Sequence, residues 1–459
     1  MVDVLTALLA DCRAHAAELA PSIQTRLGRS RQVQALLEVR DHMPSLAAVS
    51  EVTKAYISSL LTEAENYIEI AYALALGIDL AIRTEKPSLY SVMCQGRGVR
   101  VLRDLDPYPT PDVPLKQIIP GDGYSRLPRD GGSVLAVDRV QGLALWNSSE
   151  YGALQAIYDP IAGKALDLAL VSTFDVLVVA PNKELLTEFN FAPTPGPGFF
   201  GVAVKDVARQ KQILSDALRY CALHGIEILL LPELAATADF EVVIKEALSE
   251  ADDGASPATS CPSVVVAGSQ HVLADGSQVN RLSTIYRHEL HTVHHDKVAP
   301  YVMGSSEVLV NGKLEPNRWG EEDICRANYV RLHAGVRWSM VPLICADFLD
   351  EFVVKAVAAL HPKLVLVASM SHQTTDFDRS AGTVISACQA VVVVANGPVE
   401  WPSEEEHGTR ASIAVVALPV SDPRLATQRI NVPQGLAAPY TVHFQSKSRS
   451  VRLLSDQVT

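Results

Sequence analysis

From about residue 166 onward the apolar positions fall into short unbroken runs: FDVLVVAP, IEILLLPE, SVVVAGS, LSTIYR, RWSMVPLICAD, KLVLVAS, AVVVVAN and SIAVVAL. Runs of this kind, bounded by Gly, Pro, Ser and Asn, predict strands buried on at least one face, because a strand with a solvated face alternates apolar with polar residues. Between the first two runs the period changes. Val204, Val207, Ala208, Leu214, Leu218 and Cys221 recur at helical spacing, and Gly225 stands where a left-handed residue ends a helix. A helix that delivers the chain into a buried strand at 226–231 is the signature of a layered α/β architecture.

The earlier part of the chain reads differently. Residues 1 to about 85 are rich in Ala, Leu and Glu, with Pro only at 21 and 44, which predicts two or three amphipathic helices. Between 86 and 130 the composition turns to Pro and Gly, as in PYPTPDVP and IIPGDG, which calls for turns and extended segments. The tail after about Asp422 is polar and weakly patterned, and the sequence carries no internal repeat. The expected organisation is therefore an N-terminal module at 1–165, an α/β domain at 166–425 and a C-terminal tail at 426–459.

Composition narrows the function classes. A hydrophobic fraction of 48% with 6% aromatic residues describes an aliphatic globular chain of 459 residues, long enough for two domains. Asp and Glu total 52 against 39 for Lys and Arg, a net charge of −13 that argues against a nucleic-acid partner. The 7 cysteines form no CxxC pair, so reduced thiols in a cytoplasmic setting are expected rather than a disulfide framework or a zinc ribbon. The N-terminal segment carries Asp3, Asp11 and Glu18 where an export signal needs an apolar run. The apolar stretch 67–82 holds Glu69 and Asp79 and is too short to span a bilayer, so no membrane partner is expected.

Three reactive residue types stand where strand-like runs give way to another composition. Cys345 ends MVPLIC, before the acidic segment ADFLDE; a thiol there needs only a lowered pKa or a neighbouring base to attack a carbonyl. Glu233 ends LLLPE directly after Pro232, which stops ladder pairing; partial desolvation raises such a carboxyl towards the range of a general base. Lys297 follows RHELHTVHHD, and its charge suits a thiolate or an oxyanion. Taken singly, each has an ordinary reading: a buried structural thiol, an acid at a helix N-terminus, a solvated lysine. Their conjunction in the order Glu, Lys, Cys carries the weight.

In that order, LLLPEL, DKVAPY and LICADF resemble the three motifs of the nitrilase, or carbon–nitrogen hydrolase, superfamily over about residues 170–420. The segments VVVAGSQHVLADGSQVNRLSTIY and VVVVANG, near Asn396, add to the likeness. The resemblance implies a four-layer αββα sandwich, preceded here by the mainly helical N-terminal module, and assembly into homodimers or larger homo-oligomers. It implies Glu233 as general base, Cys345 as nucleophile, Lys297 as oxyanion stabiliser together with the backbone N–H of Ala346, and a second glutamate, matched first by Glu307, with Glu315, Glu321 and Glu322 nearby.

The departures bear on substrate. Nitrile hydrolases of that superfamily usually place Trp after the cysteine, where Ala346 stands here, so a small-molecule amide is the expected substrate. Leu349, Asp350 and Glu351 break the amidase pattern that follows the Cys-x-Asp motif, and Ala299 replaces the histidine of the lysine motif. Besides hydrolysis through a thioester, two alternatives remain open: a catalytically weak scaffold protein, and acyl transfer to an amine or alcohol. No cofactor is expected. The cluster His291, His294, His295 and Asp296 offers metal-ligand types, but alternation along a strand sends His294 to the face opposite His291 and His295, so no metal is expected either.

Overall fold

The computed structural model describes residues 151–171, 173–191, 202–252, 262–301, 308–310, 313–315, 321, 324–401, 409–419 and 427–454, with short stretches earlier (7–8, 10–12, 15, 67, 70–72, 74–75, 99–102, 107–109 and 143–146). They belong to two compact units, Met1–Val113 with Ser125–Pro160, and Pro114–Tyr124 with Ile161–Thr459. In the first unit the described residues at 7–8, 10–12, 67, 70–72 and 74–75 are helical. Two antiparallel strand pairs follow, Arg100–Leu102 with Gln155–Asp159 and Pro107–Pro109 with Leu143–Leu145.

The described residues of the second unit begin at Ile161 in α1 (Pro160–Ala169), and the boundary expected at 165/166 falls inside this helix. A helix this tightly docked has no linker to read. A Cβ on Gly163 would lie 2.0 Å from the Ala334 carbonyl carbon. The Asp167 carboxylate accepts the N–H groups of Val336 (2.5 Å), Arg337 (3.0 Å) and Trp338 (2.7 Å), closing the turn between two strands named below.

The chain then runs β1 (Asp175–Ala180), α2 (Val207–His224), β2 (Ile228–Leu230), α3 (Phe240–Asp252), β3 (Val264–Ala274), β4 (Ser277–Tyr286), β5 (Thr292–Asp296), β6 (Tyr329–Ala334), β7 (Ser339–Ile344), α4 (Glu351–Ala359), β8 (Leu364–Ser369), α5 (Asp376–Cys388), β9 (Val391–Asn396), β10 (Ala414–Ala417), β11 (Thr427–Ile430), β12 (Tyr440–Gln445) and β13 (Ser450–Leu454). Helix α2 begins where the Asp206 side chain accepts the Arg209 N–H at 2.9 Å, and it ends at Gly225, whose φ of 66° is the left-handed stop expected there.

Strands β5-β4-β3-β2-β1-β12-β13 form one sheet, and within this unit β11-β10-β9-β8-β7-β6 form the other. In each sheet three consecutive strands are parallel, β1 with β2 and β3, and β7 with β8 and β9. Each trio is joined through helices and followed by two antiparallel strands. The two halves thus repeat one topology that leaves no trace in the sequence, because burial and chain direction constrain residue class and not identity.

Leu214, Leu218, Phe240, Ile244 and Leu248 pack helices α2 and α3 against Leu177, Leu229 and Val265 of the first sheet. Helices α4 and α5 lie together, contacting β6, β9 and β10 of the second sheet. The sheets meet each other where β1 faces β9, β3 faces β8 and β4 faces β7. The layers are therefore helix, sheet, sheet, helix. Every residue of β7, β8 and β9 is buried, which is why those strands read as unbroken aliphatic runs.

Residues 427–454, expected as a tail, supply β11, β12 and β13. Strand β12 completes the first sheet by pairing with β1 from Tyr440↔Ala180 to Gln445↔Asp175. Its alternation is short: Tyr440, Val442 and Phe444 are buried, while His443 and Gln445 reach Asp175. A half-polar strand of this length does not stand out from loop composition.

Candidate active site

Cys345 stands one residue beyond β7 and opens a 3-10 turn at Cys345–Phe348. Its φ is 38°, in the left-handed region, a conformation that costs a non-glycine residue about 1–2 kcal/mol. Asp347 holds the turn. One of its oxygens accepts Val298 N–H (2.8 Å) and Ala299 N–H (2.7 Å), and the other accepts Ile344 N–H (3.2 Å) and the His295 Nε2–H (2.9 Å). A single buried carboxylate thus ties the cysteine turn to the backbone that follows Lys297. The parallel register Ile344↔Ala368 brings Ser369 beside Cys345, and the Ser369 hydroxyl donates to Sγ at 3.4 Å. The next residue, Met370, offers its carbonyl to the thiol at 3.9 Å.

Glu233 projects from the end of β2, past Pro232. Its neighbour Leu234 has a φ of 57° and donates its N–H to the Ser269 hydroxyl at 3.1 Å. Gly268, with a φ of +74°, lets β3 approach closely here; a Cβ there would sit 2.3 Å from the Pro232 carbonyl oxygen. One Glu233 oxygen accepts Lys297 Nζ (2.6 Å) and Asn280 Nδ2 (2.9 Å), and the other accepts Met370 N–H (3.1 Å). The carboxylate lies near enough to the Cys345 thiol for the two to act on each other electrostatically, and both meet Met370, Glu233 at its N–H and the thiol at its carbonyl.

Lys297 stands one residue beyond β5, anchored by its N–H to the Asn280 carbonyl at 2.9 Å. Its ammonium bridges Glu233 and Glu321. Glu321 also accepts Asn280 Nδ2 (2.7 Å), His271 Nε2 (3.0 Å) and Tyr301 N–H (2.9 Å). Cys345, Lys297 and Glu321 are each 1% exposed and Glu233 3%, so bulk water does not screen these charges.

Electrostatics follow from that burial. Desolvation pushes the Glu233 carboxyl above its ordinary range against the opposing pull of Lys297, and Glu321 pushes it further up. Desolvation acts on Glu321 in the same sense but is outweighed by Lys297 and His271, which hold it well below the usual carboxylate range. Burial works to depress Lys297, yet Glu233 and Glu321 together raise it above an ordinary lysine. Burial, then the Glu233 carboxylate, push the Cys345 thiol up to about 12, with Lys297 opposing. The cysteine therefore rests as a thiol that needs a base, and the adjoining carboxylate is the basic one of the two.

Glu233, Lys297 and Cys345 thus stand together. The N–H of Ala346, at the start of the 3-10 turn beside the thiol, has no hydrogen-bond acceptor among the described residues and meets none within a helix of its own. Of the four glutamates weighed as the second acid, Glu321 is the one that meets Lys297 among the described residues. Glu307, the first choice, and Glu322 lie outside the described residues, and Glu315 ends a short strand at Lys313–Glu315. With a sequence separation of 24 from Lys297 to Glu321, no strand or helix period ties the two together. Sequence reasoning did not single out His271, Ser369 or Met370. Ser369 was the most legible, as the polar end of the run KLVLVAS. His294 reaches Glu241 and His295 reaches Asp347, so the histidine cluster diverges. No group of three or more metal-ligating side chains is found among the described residues.

No family model matches the chain, and no curated protein matches it. Solved structures do. One is an amidase from Nesterenkonia, of the nitrilase superfamily, 12% identical over 59% of this chain and 90% of that one, with a TM-score of 0.38. Another is Saccharomyces cerevisiae Nit3, a member of branch 10 of the nitrilase superfamily, 9% identical over 60% of this chain and 91% of that one, with a TM-score of 0.39. A glutamine-dependent NAD+ synthetase from Acinetobacter baumannii is 10% identical, with 61% of this chain covering 47% of that one at a TM-score of 0.39. Among the described residues no helix is long and apolar enough to cross a membrane.

Proposed function

We infer that this chain is an amidase of the carbon–nitrogen hydrolase kind, cleaving a non-peptide amide through a thioester on Cys345. The observation that carries the reading is the buried cluster in which Lys297 bridges two carboxylates and the Glu233 carboxylate acts electrostatically on the Cys345 thiol. Glu233 takes the thiol proton as sulfur attacks the amide carbonyl. Lys297 and the Ala346 N–H stabilise the negative charge that gathers on the carbonyl oxygen. The protonated Glu233 then gives its proton to the departing amine, and afterwards draws a proton from the water that cleaves the thioester. Acid and base are one group used in turn, which suits a carboxyl already raised by burial. Assembly into a homodimer or larger, and a cytoplasmic setting, go with this reading.

Intact-protein mass spectrometry after exposure to a panel of small amides tests it. The expected result is a transient mass increase at Cys345 equal to the acyl group, with release of ammonia or amine. Cys345→Ala should show neither product nor adduct while melting within a few degrees of the wild type. Undiminished hydrolysis by that variant ends the assignment.

A further inference from the structure

The cluster holds two carboxylates and one ammonium, and the reaction proposed above needs only one of the carboxylates to exchange protons with the thiol. What separates them is the set of donors. Glu233 shares Lys297 and Asn280 with Glu321, but only Glu321 has His271.

The position of His271 follows from a turn. Strands β3 and β4 are joined by Asp275 and Gly276, with φ of 49° and 78°, the two-residue hairpin loop that Asp-Gly favours. That loop sets the register Ala274↔Ser277 and hence the direct pair His271↔Asn280, whose side chains share one face of the sheet. Both members of the pair donate to the same Glu321 oxygen, Asn280 Nδ2 at 2.7 Å and His271 Nε2 at 3.0 Å.

The other ring nitrogen settles which atom carries the proton. His271 Nδ1 faces the Val202 N–H at 3.2 Å, and a backbone N–H can only donate. Nδ1 is therefore the acceptor, and Nε2 bears the hydrogen that points at Glu321. Val202 adjoins Ala203–Val204, which pairs with Phe189–Asn190, so the imidazole joins this small hairpin to the charged cluster.

We propose that His271 is a positioning residue that reserves Glu321 as the permanent counter-charge of Lys297, leaving Glu233 as the carboxylate that takes and returns the proton of Cys345. The inference rests on the Cys345–Glu233 reading above. The charged and titratable groups around the imidazole–carboxylate contact are Glu321 itself, Lys297 beyond β5, Glu233 beyond β2, Cys345 beyond β7 and the Tyr301 phenol. Burial, Cys345 and Glu233 push that phenol up to about 12, so it stays neutral over the range tested.

The test is the rate at which iodoacetamide alkylates Cys345 in the full chain, followed across pH by mass spectrometry and peptide mapping. In the wild type the rate should fall at acid pH as the carboxylate that accepts the thiol proton becomes protonated, and Glu233→Gln should slow labelling and remove that fall. His271→Asn keeps an oxygen for the Val202 N–H but withdraws the donor from Glu321. The coupled carboxyls then bind their first proton more readily, and the acid limb moves up by about one pH unit. His271→Gln restores an N–H near the Nε2 position and should leave the limb where the wild type has it.

In a Glu321→Gln background, His271→Asn should add no further shift. A merely structural histidine gives a different pattern: Asn and Gln variants moving together, or a shift that persists without Glu321. Either result, or a wild-type limb in His271→Asn, overturns the role of His271 alone. A wild-type profile in Glu233→Gln, or no labelling of Cys345 in the wild type, removes the thiol–carboxylate reading and this inference with it.

Discussion

At the scale of single residues, the decisive quantity is the charge count inside a space without water. Among the described residues Lys297 is the one cation that touches both Glu233 and Glu321, and removing one partner of a buried ion pair leaves the other uncompensated at a cost of about 3–5 kcal/mol. Lys297→Met is therefore expected to lose several kcal/mol of stability at neutral pH, whereas Cys345→Ala loses little, since it removes one neutral group. The sign of the pH dependence in the methionine variant is also set. Without the ammonium both carboxyls are raised in the folded state relative to an unfolded value near 4.3, so the folded variant gains stability as pH falls and loses it as pH rises. Urea denaturation of the two variants at several pH values measures this; equal stabilities at neutral pH would mean that Lys297 is not the counter-charge. The types of the reacting groups were readable one by one. Their protonation states were not, because each depends on donors brought from other strands.

At the scale of elements, eight aliphatic runs marked strands, and the reactive residues were placed beyond three strand ends. That much is local: burial on both faces writes itself as consecutive Val, Ile, Leu and Ala, and a change of composition marks where the ladder stops. Register is where legibility faded. The Asp-Gly turn could have announced the His271↔Asn280 pair, but only once β3 and β4 were known to be partners.

The same two-strand logic operates on the outer face, where Glu241 of α3 accepts Ser283 Oγ (2.6 Å) from β4 and His294 Nε2 (2.8 Å) from β5. The His294 hydrogen bond, against the opposing effect of burial, holds the Glu241 carboxyl down to about 2. A depressed carboxyl contributes stability that is present above the unfolded value near 4.3 and lost as pH falls through about 2. Glu241→Gln should cost about 1–2 kcal/mol at pH 7 and flatten the acid side of the melting-temperature profile between those values. A profile parallel to the wild type would show that the helix is not clasped to the sheet in this way.

At the scale of the whole second unit, two sheets of matching topology face each other and direct the reactive strand ends into one place. Cys345 and Ser369 come from the second sheet, Glu233 and Lys297 from the first, and Asp347 bridges them through Val298 and Ala299. The last segment of the chain takes part in this closure. Strand β12 covers the edge of β1 that β2 leaves open, and Val442 and Phe444 are fully buried. A chain ended at residue 425 should therefore lose cooperative melting and aggregate through the bared edge of β1. Size-exclusion chromatography and thermal denaturation decide it: a monodisperse truncated protein that melts like the wild type would show that 426–459 is a dispensable tail.

What the amino-acid order determined alone was the alternation of buried strands with helices, the glycine stop of α2, and the presence of an acid, an ammonium and a thiol at strand ends. These are properties of a few consecutive residues, set by burial pattern and backbone preference. Tertiary structure alone decided that the three converge, that Glu321 meets Lys297, that His271 and Asn280 share that carboxylate, and that a polar C-terminal stretch is a strand of the core. Each of these depends on groups that meet only after distant strands have paired, where desolvation and donor count, not neighbours in the chain, set the charge.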